Sequence, residues 1–171
     1  MLYNNLVLIG PMGSGKSTIG KILSNKFKCN FYDLDNELEK ICGCKISDIF
    51  LLEGENSFRK RENKIIKDLS LKNGVVISTG GGSIINVNNL QLLRTKCIFI
   101  YLFTSVYNQI KRLENNTNDR PLLKCKDYKK KIYKIFKTRE PFYHYMADII
   151  INTEQKIELI IKEIKKRIYF L

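Results

Sequence analysis

Short apolar runs alternate with amphipathic stretches along the whole chain. Strands are expected at Leu6–Ile9, Asn30–Asp33, Val75–Ser78, Ile98–Leu102 and Asp148–Ile151. Helical spacing is expected at Lys16–Phe27, Asn36–Ile41, Ser47–Leu52, Glu55–Leu71, Asn88–Leu93, Ser105–Leu113, Tyr128–Lys137 and Glu154–Arg167. Such alternation predicts βα units, hence an α/β fold in three layers, α/β/α, around a five-stranded parallel sheet. Ser47, just before Ile49 and Phe50, reads as an N-cap, and Asn73–Gly74 reads as a helix stop before Val75. One stretch breaks the rhythm. Residues Glu114–Asp127 are polar and rich in Asn and Lys, too long for a plain connection, so a mobile functional loop is expected there. With 171 residues and no repeat or linker, the chain reads as a single domain, 1–171.

Between the first strand and the first helix stands GPMGSGKS, Gly10 to Ser17, a G-x-x-x-x-G-K-S phosphate loop in its expected context. Its glycines let successive N–H groups face an anion, and the following helix N-terminus adds partial positive charge. The cradle comprises Gly13, Ser14, Gly15, Lys16, Ser17 and Thr18. Lys16 is expected on the outer phosphates, and Ser17 offers a hydroxyl to Mg²⁺.

Three further features carry chemistry. FYDLD closes the second strand, where ligands bind in open α/β sheets, and Asp33 and Asp35 share a side if the strand continues that far. Asp35 alternatively caps the helix from Asn36. STGGGS, Ser78 to Ser83, places three glycines after the third strand, which predicts close approach of a ligand to the backbone. Arg59, Arg120 and Arg139 stand in motif-like settings; guanidinium groups bind carboxylate and phosphate bidentately, so as a set they suggest an anionic second substrate.

The formal charge is +13, from 30 basic and 17 acidic side chains. Lysines of Lys124–Lys137 and Lys156–Arg167 are spaced among apolar residues as solvent faces of helices would be, which accounts for most of the excess. Five cysteines form no even set and no paired C-x-x-C, so reduced thiols are expected rather than disulfides or structural zinc. The opening MLYNNLVLIG lacks a basic segment ahead of its apolar stretch, and no apolar run approaches a membrane span. The expected compartment is the cytoplasm.

GPMGSGKS, FYDLD, GENSFRKRE, STGGG, the RPLL of Arg120 to Leu123, and Arg139 with Pro141, Tyr143, Ala147 and Asp148 together resemble shikimate kinase, a nucleoside-monophosphate-kinase-like family of P-loop kinases. The resemblance runs from Leu6 to about Glu154. It implies transfer of the γ-phosphoryl group of ATP to the 3-hydroxyl of shikimate, with one Mg²⁺ as cofactor. By the resemblance Lys16, Asp35 and Arg120 are catalytic, Ser17 and Asp33 hold the metal, and Asp35, Arg59, Gly81 and Arg139 bind shikimate. Arg112 and Lys156 face the adenine, residues about 33–62 form the substrate segment, and 113–126 form the lid that Arg120 closes. The implied protein is a monomer that binds ATP and shikimate, with neither nucleic acid nor membrane as partner. Two departures stand out: His144 and Tyr145 occupy places the family usually gives to acidic residues, and the adenine loop has no proline.

Two other readings predict different behaviour. Another small-molecule P-loop kinase, acting on gluconate or a nucleotide, shares the phosphate loop but not the demand for paired acid-binding arginines. A nucleotide-dependent nucleic-acid module, suggested by the charge, predicts steeply salt-sensitive polymer binding and lacks a matching aromatic-basic motif.

Overall fold

The computed structural model describes residues 4–83, 93–94, 96–114 and 127–170. The expected helix at Asn88–Leu93 lies outside the described residues except for Leu93, which is helical and buried. Arg120 and residues 115–126 of the expected lid also lie outside them.

Strands β1 (Asn5–Ile9), β2 (Phe31–Asp33), β3 (Val76–Ser78), β4 (Cys97–Phe103) and β5 (Ile149–Asn152) form one sheet in the order β2-β3-β1-β4-β5. Every pairing is parallel, for example Leu8 opposite Ser78 on one side and Ile100 on the other. The helices are α1 (Lys16–Phe27), α2 (Leu34–Cys42), α3 (Ile46–Leu52), α4 (Gly54–Ser70), α5 (Val106–Glu114), α6 (Tyr128–Met146) and α7 (Ile157–Tyr169).

Strand alternation divides the interior in two. Leu6 and Leu8 join Val76, Ile100, Leu102, Ile149 and Ile151 under α1 and α7. Val7 and Ile9 join Ile77, Phe99 and Tyr101 on the opposite face, under α2, α3, α4 and the end of α6. All five residues of β1 are buried, as a central strand covered on both faces requires. β1 lies between β3 and β4, so the loop that follows it opens at the middle of the sheet's carboxyl edge, the edge that open α/β sheets use for ligands.

Several expected boundaries are corrected. The helix expected to stop at Lys137 continues through Pro141 to Met146. Proline removes one donor and disfavours a helix interior, but Tyr143 and Met146 are buried against the sheet and tertiary packing holds the final turns. β2 ends at Asp33, so Asp33 and Asp35 do not share a strand face; Asp35 sits in the first turn of α2. Asp33, not Asp35, is the cap, its Oδ1 accepting from Asn36 N at 3.5 Å. Lys45 rather than Ser47 occupies the N-cap of α3, and Ser47 donates to the Asp48 carboxylate at 3.3 Å. The last helix begins at Ile157, not Glu154, because Glu154 is drawn to the start of α5, where it accepts from Ser105 N at 2.6 Å.

Candidate active site

At the carboxyl edge of the sheet lies a cleft of about 810 Å³. Its walls bring together Gly13, Gly15, Lys16, Ser17 and Thr18 of the phosphate loop, Asp33, Asp35, Arg59, the glycines 80–82, Arg112 and Arg139. Residues distant in sequence thus share one pocket.

The phosphate loop turns into α1 at Gly15, whose φ of 90° lies in the left-handed region open to glycine. Lys16 Nζ donates to the carbonyls of Gly10 and Pro11 at 2.9 and 2.8 Å, bending over its own loop. Ser14 is fully buried, and its Oγ has no hydrogen-bond partner among the described residues. Ser17 Oγ donates to Asp33 Oδ2 at 2.5 Å, which places a hydroxyl and a carboxylate side by side at the start of α1.

The glycine run lies against the acidic and basic side chains. A Cβ on Gly80 would stand 2.6 Å from Asp35 Oδ1; one on Gly82 would stand 2.8 Å from Arg59 Nη2 and 3.5 Å from Arg139 Nη2. Side chains at either glycine would displace these groups, so the run is explained by close approach rather than by a turn. Both guanidinium groups therefore converge on Gly82.

Arg59 is half-buried on α4 and held by its own helix. Nη1 donates to Glu62 Oε2 at 2.7 Å and Nη2 to Glu55 Oε1 at 3.0 Å. Burial disfavours the charge, but the hydrogen bonds and charges of Glu62 and then Glu55 outweigh it, and the pKa of Arg59 is raised. Glu62, 1% exposed, also accepts from Ser83 Oγ at 2.6 Å. Gly81 O accepts both Arg139 Nη1 at 2.9 Å and Tyr143 Oη at 2.7 Å. Burial pushes the Tyr143 phenol up to about 12, so it remains a donor at neutral pH.

At the other end of the cleft Arg112 Nη1 donates to Gly13 O at 2.9 Å and Thr153 Oγ1 at 3.2 Å, and Nη2 to Thr153 O at 2.7 Å. Lys156 is exposed at the N-cap of α7 and does not line the cleft. No helix among the described residues is long and apolar enough to cross a membrane.

A family model described as shikimate kinase matches residues 12–169. The chain belongs to the shikimate kinase family. The shikimate kinase of Hahella chejuensis is 44% identical over 152 residues, covering 89% of this chain and 79% of that protein. That of Legionella pneumophila is 41% identical over 166 residues, covering 96% and 94%. A solved shikimate kinase from Acinetobacter baumannii, in complex with shikimate, superposes with a TM-score of 0.92 at 35% identity and covers 97% of this chain and 93% of that one. As a shikimate kinase the chain is an ATP-dependent phosphotransferase, and the expected P-loop kinase fold is borne out.

Seen as a shikimate kinase, the site contains residues to which sequence reasoning gave no role. Glu62 and Ser83 support Arg59, Tyr143 supports Gly81, and Thr153 receives Arg112. Two signals were present: Glu62 follows Arg59 by three positions and Tyr143 follows Arg139 by four, spacings that share a helical face. No comparable signal marks Thr153, whose partner lies 41 residues away.

Proposed function

We propose that the cleft transfers the γ-phosphoryl group of ATP to the 3-hydroxyl of shikimate. The observation that carries this reading is the convergence of Arg59 and Arg139 on Gly82 in the same cleft as Lys16 and Asp35. Paired guanidinium groups suit a carboxylate, and a lysine beside helix α1 suits a polyphosphate.

Phosphoryl transfer through a loose transition state asks chiefly for alignment and charge stabilisation. Arg59 and Arg139 grip the carboxylate of shikimate, with Gly81 offering backbone contact. Asp35 accepts hydrogen bonds from the sugar-like hydroxyls and orients the attacking oxygen. Lys16 exchanges its loop carbonyls for the β- and γ-phosphate oxygens and neutralises charge during transfer. Ser17 and Asp33 are hard oxygen donors 2.5 Å apart, a set that fits one Mg²⁺ retaining phosphate and water ligands. Ser17 and Asp33 would hold the ion. Bound there, Mg²⁺ supplies further neutralisation of the phosphates.

Arg112 serves the adenine end from the cleft wall, and Lys156, which lies outside that wall at the start of α7, is assigned to the same end only by the family resemblance. The segment at about 33–62 holds shikimate, and 113–126 forms a lid whose Arg120 closes over the phosphates and excludes water. We assign the chain to one catalytic domain, 1–171, acting as a cytoplasmic monomer without nucleic-acid or membrane partners.

A coupled assay of ADP release tests the reading. Turnover is expected with shikimate and not with gluconate or nucleoside monophosphates. ADP release indifferent to shikimate but stimulated by single-stranded RNA would replace this reading with a nucleic-acid-dependent one.

A further inference from the structure

The three hydrogen bonds of Arg112 connect segments that are otherwise separate. Its guanidinium spans from the Gly13 carbonyl in the phosphate loop to the side chain and carbonyl of Thr153, just beyond β5. The rest of the junction is close-packed. A Cβ on Gly13 would lie 3.4 Å from Gln109 O and 3.5 Å from Leu113 Cγ, so α5 supports the loop on either side of Arg112. Gly13 has φ +76°, a conformation with few steric restraints of its own in glycine. A peptide unit is planar, so anchoring the Gly13 oxygen fixes the plane from which the chain proceeds to the N–H groups of Gly15 and Lys16. Thr153 is in turn fixed: it is 2% exposed, and its N and Oγ1 both donate to Phe103 O, at 2.9 and 3.0 Å.

We propose that Arg112 is a positioning residue that sets the phosphate-binding shape of the loop from the segment after β5, beyond any contact it makes with the base. The inference rests on the reading that this loop holds the phosphates of ATP. It makes the adenine end and the phosphate end one mechanical unit, with Thr153 as the fixed point and the Gly13 carbonyl as the part held. A ligand with phosphates but no base must therefore sense the loss of Arg112.

Inorganic tripolyphosphate is that ligand. Its affinity and that of ATP, both with Mg²⁺, are measured by calorimetry for the wild type, Arg112→Ala, Arg112→Lys and Thr153→Val, with shikimate affinity and melting temperature alongside. Arg112→Ala is expected to weaken tripolyphosphate and ATP by about tenfold each, the scale of hydrogen bonds from a charged donor. Arg112→Lys is expected to recover little of this, because an ammonium lacks the planar fork that meets all three acceptors. Thr153→Val removes no charge, and Phe103 O keeps its bond from Thr153 N; it is expected to weaken tripolyphosphate about threefold. Shikimate affinity stays unchanged in all three.

Unchanged tripolyphosphate affinity in Arg112→Ala with weakened ATP would overturn the proposal and leave Arg112 acting on the base alone. Full recovery by lysine with no effect of Thr153→Val would overturn it in favour of simple charge. If Arg112→Ala does not fold, those two variants decide between the same outcomes. A wild type that binds neither ligand would remove the underlying reading as well, whereas normal wild-type binding with insensitive variants removes only this inference.

Discussion

Arg59 shows how a helix fixes the direction of a single side chain in the cleft. Its guanidinium is turned toward Gly82 and held there by Glu62 and Glu55. Arg59→Ala is expected to raise the KM for shikimate by about 10- to 100-fold, the range for a charge-assisted hydrogen bond. The KM for ATP should be essentially unmoved, and steady-state kinetics with each substrate varied in turn checks this split. Comparable loss for both substrates would refute the carboxylate assignment. Tyr143→Phe removes one of two donors on Gly81 O and leaves the other, Arg139. A rise of about threefold in shikimate KM is expected, as for a neutral hydrogen bond, with kcat little changed.

At the scale of elements, Glu154 joins the turn before α5 to the loop after β5. The hydroxyl of Ser105, the side chain of Asn108 and the Ser105 N–H hold its carboxyl down to about 2. A carboxylate depressed in the folded state stabilises it above the ordinary glutamate value and loses that contribution as pH falls through the folded value. The stability difference between wild type and Glu154→Gln is therefore expected in full above about pH 4.5 and to shrink toward pH 2. Melting temperatures of both proteins across that window measure it; a gap constant with pH would place the effect in packing. The elements also show which parts of the chain were legible. The phosphate loop was, because its spacing, strand and helix are all local. The length of α6 was not, because Pro141 argues locally for a stop, and only the burial of Tyr143 and Met146 reverses it. Asp33 and Asp35 were recognised as a pair, yet their division between cap and first helical turn depends on where β2 ends, which the strand's partner β3 decides.

Across the whole molecule, the sheet order does what the sequence left open: it carries the ends of β1, β2 and β3 and the helices α4 and α6 to one edge. The motifs singled out Arg59 and Arg139, but Ser83 and Thr153 act through partners that only folding brings near. The charge of +13 also belongs to this scale. Both substrates are anions, and a cationic protein attracts them at long range in a salt-dependent way. The kcat/KM for shikimate is expected to fall with added salt while kcat holds steady. A value independent of ionic strength would assign the surplus lysines to solvation alone.

Glu55 and Glu62 already share the guanidinium of Arg59. If Arg59 binds the substrate carboxylate as proposed, an arriving acid would enter a fork already shared, and rivalry among anions would set a ceiling on how firmly the acid is retained. Phosphorylation makes the same molecule more negative without moving its carboxylate. On that proposed role, a grip moderated by Glu62 and Glu55 would favour the departure of that product over its tight capture.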